Sequence, residues 1–316
     1  MIVTLTPNPS IDRTVSVPAL EHGEVNRASG SRIDPGGKGI NVARALATNG
    51  TEALAVLPSG GPEGHLLQAL LRRAGTAYAA VPIEGTTRMN IAVIEPDGTT
   101  TKLNEPGPTL SDDELDALLA AVDEHLSPDL RWIVGCGSLT PGMPTTIYAD
   151  LVRRGHAHGI KVAIDSSGAP FTAAIPAGPD LIKPNHEELE ELVGRRLHSL
   201  AEVGEAARTL VDGGIGTVIV SLGRHGALLV NADAVAHASA HVARPVSTVG
   251  AGDSLVAGYL HAVCRGATPR EALATGVAWG AAAVSLPGSR MPGPEDIAAI
   301  TVTSTDTPDL TLCLID

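Results

Sequence analysis

Aromatic side chains are almost missing from this chain: one Phe, two Trp and three Tyr among 316 residues. So few rings cannot build the base-stacking platform that single-strand nucleic-acid binders use. Positive charge is also short. Lys and Arg number 22 against 35 Asp and Glu, a formal net charge of −13, and the chain has no basic run. Nucleic acid and anionic membrane surfaces are therefore excluded as partners. The three cysteines, Cys136, Cys264 and Cys313, lie far apart. They offer neither a CxxC pair nor a disulfide framework, as expected in a reducing cytosol. No apolar run reaches the roughly 20 residues needed to span a bilayer. The opening "MIVTLTPNPSIDRTVSV" lacks the charged-then-apolar plan of a signal peptide. These absences point to a soluble cytoplasmic protein.

What is present is a large aliphatic reserve. Hydrophobic residues make up 43% of the chain, and with so few rings the core must be built from Ala, Val, Leu and Ile. The length suits one large α/β domain or two smaller ones. Short apolar runs at 1–6, 53–58, 131–136, 161–165, 180–183 and 217–222 read as strands. Helical periods at 39–50, 63–75, 112–126, 145–159 and 201–214 fall between them, several ending on Gly. Alternating near-continuous apolar strands with helices predicts a mostly parallel sheet covered on both faces. Residues 11–34 and 85–105 break this rhythm with period-two alternation, and Asp97-Gly98 supplies a hairpin turn. They are expected to form a small separate antiparallel sheet, a lid. The last stretch, 301–316, carries no functional signal.

Five segments bear residues suited to chemistry. In "STVGAGDSLVAG" (247–258), Gly250, Ala251 and Gly252 allow backbone N–H groups to approach a ligand, and a helix follows. That combination makes an anion hole. Asp253 at its rim could act as general base beside a transferring phosphoryl group, or serve simply as an N-cap. "DPGGKGINVA" (34–43) could present backbone N–H groups with Lys38 and Asn41 to a polyol or phosphate. It is not a Walker loop, and a plain glycine turn explains it equally. In "IKPNHEELEEL" (182–192), Asn185 and Glu188 share a helical face. They could hold a hydrated Mg²⁺ indirectly, or form a capping box. "SLGRHGALL" (221–229) is either a phosphate or ribose loop or an ordinary hairpin. Arg88 on a lid strand is solvated or aimed at a phosphate.

Taken together and in order, "NPSID" (8–12), "GGKGINVA", "KPNHEEL", "SLGRHGALL" and "STVGAGDSLVAG" resemble the ribokinase-like, PfkB-type carbohydrate kinases. The resemblance covers residues 1–300. "TPNPSIDRTVSV", "TRMN" (87–90), "TTKLNEPGP" (100–108) and "CGSLTPGMP" (136–144) look like the phosphosugar branch. Within it the 1-phosphofructokinases are most similar, with the tagatose-6-phosphate kinases very close. The resemblance implies a three-layer α/β sandwich with a mostly parallel central sheet and a small β-sheet lid. The kinase domain would span 1–300, with lid strands from about 11–34 and 85–105 and a C-terminal tail at 301–316. It implies ATP and Mg²⁺ as cofactors, a phosphosugar acceptor, no nucleic-acid or membrane partner, and a homodimer paired through the lid.

The resemblance also assigns residues. Asp253 would be the base and Gly250, Ala251 and Gly252 the anion hole. Asp12, Gly37 and Asn41 would hold sugar hydroxyls; Lys38, Arg88 and Asn90 would face the sugar's phosphate; Ser138 would be a further substrate contact. Lys183, Asn185, Ser221, Gly223 and Gly226 would line the nucleotide side, and Glu188 would serve the metal through water. Two departures stand out. Ser247 occupies the place where many members carry a cation-binding carboxylate, which argues against potassium activation, and Thr140 replaces a frequent Pro. A non-catalytic sugar-phosphate-binding regulator is a reading of another class. The joint presence of Asp253, the glycine loop and Asn185-x-x-Glu188 argues against it.

Overall fold

The computed structural model describes residues 1–314. The chain opens with β1 (Ile2–Leu5), β2 (Ser10–Ser16), β3 (Gly30–Gly36), α1 (Lys38–Thr48), β4 (Ala53–Ser59), α2 (Gly61–Arg73) and β5 (Ala77–Pro82). It continues through β6 (Arg88–Ile94), β7 (Thr100–Asn104), α3 (Asp112–Asp123), β8 (Trp132–Cys136), α4 (Ile147–Ala157), β9 (Lys161–Asp165) and α5 (Gly168–Ala174). Then come β10 (Leu181–Ile182), α6 (His186–Val193), α7 (Leu200–Asp212), β11 (Thr217–Ser221), β12 (Ala227–Asn231) and β13 (Val235–Ala240). The last elements are α8 (Ala251–Cys264), α9 (Pro269–Val284), α10 (Pro294–Ala298) and β14 (Val302–Thr305).

Ten strands form the main sheet in the order β14-β13-β12-β11-β10-β9-β8-β1-β4-β5. From β11 to β5 every pairing is parallel; β12, β13 and β14 extend the other edge antiparallel. Strand residues alternate between two cores. Ile2, Trp132 and Val134 pack with Leu46, Leu67, Leu260 and Trp279 on one face, while Val3, Leu5 and Ile133 pack with Leu118, Tyr148, Phe171 and Val203 on the other. Parallel strands buried on both sides have no polar face to expose, which is why they read as continuous apolar runs. The result is the expected three-layer sandwich. No described helix is long and apolar enough to cross a membrane.

The lid is a separate four-stranded sheet, β3-β2-β6-β7. It is not wholly antiparallel as expected: β2 and β6 run parallel, joining Asp12 to Asn90 in register. β2 follows β1 and β6 follows β5, which run parallel in the main sheet, so both enter the lid from the same, C-terminal end. The Asp97-Gly98 turn forms as the sequence suggests, with Asp97 Oδ1 accepting from the Thr99 N–H at 2.9 Å. The stretch 301–314 is less detached than a tail. β14 pairs with β13, Leu200 N–H donates to Leu312 O, and Leu314 N–H donates to His198 O, both at 2.9 Å. Residues 315–316 of that tail lie outside the described residues.

Helix α8 is set by its fit against α9. A Cβ on Gly258 would sit 2.7 Å from the Trp279 ring and 3.0 Å from Gly276 Cα. The two helices therefore touch backbone to backbone, and this contact aims the first turn of α8 over the sheet. Overpacking of this kind costs about 1–3 kcal/mol. Gly258→Val should lower the unfolding free energy by that much, read as a lower urea midpoint at an unchanged m-value. An unshifted midpoint would show that the contact can relax without cost.

Candidate active site

The C-terminal ends of the parallel strands open into a cleft of about 940 Å³ roofed by the lid. Crevices at this end of a parallel sheet are where ligands bind, because loops and helix N-termini converge there. Gly137 and Ser138 enter from the end of β8, Asp165 from β9, Lys183 and Asn185 from β10, and Ser221 and Gly223 from β11. Lys38 and Asn41 come from the first turns of α1, and Gly250, Gly252 and Asp253 from the start of α8. The lid supplies Asp12, Arg88, Asn90 and Lys102. Residues separated by more than 200 positions thus share one cavity.

Asp253 does not cap its helix. The cap position is Gly250, in the left-handed region at φ 77°, a conformation that a side chain would strain. Asp253 lies three residues on, 6% exposed, and its Oδ2 accepts from Asn41 Nδ2 at 2.9 Å. Among the described residues no cation stands within ion-pair distance of it. Burial, reinforced by the negative charge of Asp165, pushes its pKa up to about 6 despite Lys38, Asn41 and Lys183.

Asp165 is the residue that sequence reading missed. It ends β9, is 1% exposed, and binds Lys38 Nζ at 2.8 Å and Lys183 Nζ at 3.5 Å. Burial opposes its charge, but the two ammonium groups hold its pKa below the usual carboxylate value. For Lys38, burial also opposes the charge; Asp165, Asp253 and Glu188 outweigh it and hold the pKa above its ordinary value. The available signal was a carboxylate closing an apolar strand, "KVAID", at the end where ligands collect.

The glycine-rich start of α8 presents fewer open N–H groups to the cleft than its three residues suggest. Ala251 N–H donates to Thr248 O at 3.3 Å, and Ala251 does not line the cleft. The N–H groups of Gly252 and Asp253, in the first turn, have no acceptor among the described residues, as helix starts require. A Cβ on Gly252 would stand 3.3 Å from Lys183 Nζ, so the missing side chain keeps that ammonium beside the hole. Gly226 also lies outside the cleft: its Cβ position falls 2.0 Å from Ala238 O, and its work is to turn β11 into β12. Asn185 and Glu188 form the capping box, with Asn185 N–H donating to Glu188 Oε2 at 2.8 Å and Glu188 N–H donating to Asn185 Oδ1 at 2.7 Å. Both still line the cleft. The Ser247 hydroxyl accepts from Val249 N–H at 3.2 Å, stiffening the approach to α8.

On the lid side, Asp12 Oδ1 accepts from Ser10 Oγ at 2.7 Å and from Asn90 Nδ2 at 3.1 Å. A Cβ on Gly36 would overlap the Asp12 carboxylate at 2.3 Å; the first Gly of the pair makes room for Asp12. Gly37, the second, lines the cleft. Arg88 donates to Glu105 O at 2.9 Å and to Asn8 O at 3.0 Å. Its Nε and the Asn90 Oδ1 are buried with no hydrogen-bond partner among the described residues. Orphaned groups of this kind at a cleft are suited to a polar ligand. Burial lowers the Arg88 pKa from its ordinary value, opposed by Asp12 and Glu105.

Comparison with known proteins agrees with this fold. The profile described as pfkB family carbohydrate kinase matches residues 6–296. A 1-phosphofructokinase of Rhodobacter capsulatus is 38% identical over 305 residues, covering 96% of each chain. The ATP-dependent 6-phosphofructokinase isozyme 2 of Escherichia coli is 36% identical over 302 residues, 95% of this chain and 97% of the relative. The crystal structure of phosphofructokinase-2 from Escherichia coli in complex with substrates and products superposes with a TM-score of 0.90 at 36% identity, over 94% of this chain and 97% of that one. A buried carboxylate at a glycine-rich helix start, facing a lid across a polar cleft, is thus set in a shared frame: the chain belongs to the pfkB family of carbohydrate kinases.

Proposed function

We propose that the enzyme transfers the γ-phosphoryl group of ATP to the 6-hydroxyl of D-fructose 1-phosphate, giving fructose 1,6-bisphosphate. The observation that carries the reading is the placement of Asp253 between the α8 anion hole and the lid's polar face. Asp253 accepts the proton of the attacking hydroxyl. Asn41 occupies its Oδ2, which leaves Oδ1 for that proton. The N–H groups of Gly252 and Asp253, with Lys183 alongside, meet the charge on the transferring phosphoryl. Asp12 and Asn90 orient sugar hydroxyls. Lys38, Arg88 and Ser138 face the phosphate the sugar already carries. At an effective dielectric of roughly 20, one cation about 4 Å from a phosphate charge is worth about 4 kcal/mol before desolvation. This is the local attraction an acidic protein needs to hold two anionic substrates.

Asn185, Ser221 and Gly223 line the nucleotide arm of the cleft. Among the described residues no group of three or more His, Cys, Asp or Glu could enclose a metal ion. The donor set therefore fits a Mg²⁺ bound chiefly by phosphate oxygens and water, with Glu188 reaching it indirectly. Such an ion would neutralise charge on the phosphoryl oxygens. The lid excludes water, which would otherwise compete as acceptor. The lid also leaves Leu103 59% and Val25 80% exposed, an apolar outer surface suited to pairing with a second copy.

A second reading is transfer to fructose 6-phosphate, supported by the 36% identity to the Escherichia coli 6-phosphofructokinase isozyme. Relatives named 1-phosphofructokinase in Xanthomonas campestris at 39% and Bacillus subtilis at 35% support the first. The substrates are separated by kcat/KM with Mg-ATP on fructose 1-phosphate, fructose 6-phosphate, tagatose 6-phosphate and free fructose. A preference of about 100-fold for fructose 1-phosphate, about 2.7 kcal/mol at the transition state, is expected. A larger value for another phosphosugar would reassign the acceptor, and activity on free fructose alone would remove the phosphate roles of Lys38 and Arg88.

Asp253→Asn should lower kcat by about 10²–10⁴-fold with ATP affinity within about threefold. Near-normal turnover would end the general-base assignment. A base acts only when deprotonated, so with Asp253 pushed up to about 6 kcat/KM should fall as pH drops through that value, by about tenfold per pH unit. The same limb should be missing from the residual activity of Asp253→Asn. Its persistence there would assign it to the substrate's phosphate.

A further inference from the structure

Arg44 is used by none of the chemistry above, yet it is only 9% exposed. Among the described residues no carboxylate lies within ion-pair distance of its guanidinium. Instead its Nη1 donates to three neutral oxygens: Asn41 Oδ1 at 3.2 Å, Pro35 O at 3.2 Å and Ser289 O at 3.1 Å. A buried cation without a counter-ion is costly, and an apolar residue would fill the same helix face more cheaply. Burial lowers its pKa from the ordinary value, opposed mainly by Asp34. The three acceptors explain the placement. Asn41 is the residue that donates to Asp253, Pro35 belongs to the lid strand β3, and Ser289 sits in the loop after α9.

An asparagine amide has a carbonyl end and an amine end, and either can face a given neighbour. Arg44, which can only donate, fixes the carbonyl of Asn41 toward itself. The amine is thereby turned to Asp253 Oδ2. Reversed, the carbonyl of Asn41 would oppose the carboxylate, acceptor against acceptor. A charged donor on the carbonyl also polarises the amide and strengthens the bond its N–H groups make. The loop reached through Ser289 is tied down from other directions as well. Pro287 O accepts from Arg32 Nη1 of the lid at 3.1 Å, and Met291 Cε lies 3.2 Å from where a Cβ on Gly250 would be.

We propose that Arg44 is a positioning residue for phosphoryl transfer: by holding the Asn41 amide it keeps Asp253 oriented, and its shared nitrogen makes that hold depend on where the lid strand and the 285–293 loop lie. The inference rests on Asp253 being the base.

The test is a double-mutant cycle on kcat between Arg44→Met and Asn41→Ala, with Mg-ATP and the preferred phosphosugar. A residue acting through another is non-additive with it. Arg44→Met should cost about tenfold or more in kcat alone, and less than about twofold in the Asn41→Ala background, with KM for ATP nearly unchanged. The acid limb of kcat/KM should also move to higher pH in Arg44→Met. Donation from Asn41 holds Asp253 down against burial and Asp165, while Lys38 and Lys183, the other charges facing it, stay in place. The charges facing Arg44 itself are Asp34, Arg32 and Asp12.

Equal losses in both backgrounds, or an unmoved limb, would overturn the proposal and leave Arg44 a structural residue. Arg44→Lys provides a second cycle that keeps the buried charge for folding, since the shorter lysine stem stops short of the Nη1 position from which all three oxygens are reached; the same pattern is expected. An active Asp253→Asn would instead overturn the general-base reading. A dead Asp253→Asn with additive effects at 41 and 44 would overturn this inference alone.

Discussion

Two buried carboxylates stand near each other at the head of the sheet, and the site depends on their being unequal. Asp165 takes two ammonium groups, Lys38 and Lys183. Asp253 takes a neutral amide. The first is held ionised as a structural charge. The second is left near the pH at which a proton can be accepted and released. Pairs of titratable groups whose surroundings push their pKa values apart are a signature of acid–base assignment. Here the asymmetry comes from which carboxylate the lysines can reach.

That arrangement constrains the rest of the fold. Lys38 must begin a helix directly after the Gly36-Gly37 pair, where Gly36 leaves space for Asp12. A side chain at Gly252 would press on the Lys183 ammonium, 3.3 Å from the Cβ position. Helix α8 must approach α9 closely through Gly258 and Gly276 for its first turn to arrive over β9 and β10. The lid closes the polar side through the parallel pairing of β2 with β6, which sets Asp12 beside Asn90. Each condition is local and steric, and together they gather Lys38, Lys183 and Arg88 into one cleft of a protein whose net charge is negative.

Much of this was legible in the order of residues. Apolar runs such as "RWIVGC" and "TVIVSL" mark buried parallel strands because no alternation is needed when both faces are covered. The lid strands show the opposite pattern. The glycine-flanked Asp253 marks a helix start able to take an anion. Harder to see were contacts that sequence separation hides. Asp165 looks like any strand-ending Asp until two lysines, 127 positions before it and 18 after it, converge on it. Gly226 shares the glycine pattern of the loop, yet backs onto β13 and away from the cleft. Ala251 sits in the motif, but its N–H is spent on Thr248.

By itself the sequence determined the layers, the positions of the glycine turns and the kind of chemistry the charged residues could perform. These follow from periodicity and from local backbone freedom, which are properties of neighbouring residues. Only the tertiary structure decided which lysine pairs with which carboxylate, that β2 and β6 run parallel, and that Arg44 reaches Asn41, the lid and the loop after α9 with one nitrogen. Electrostatic and hydrogen-bond partners are chosen by distance in space, and those distances exist only once the chain has folded.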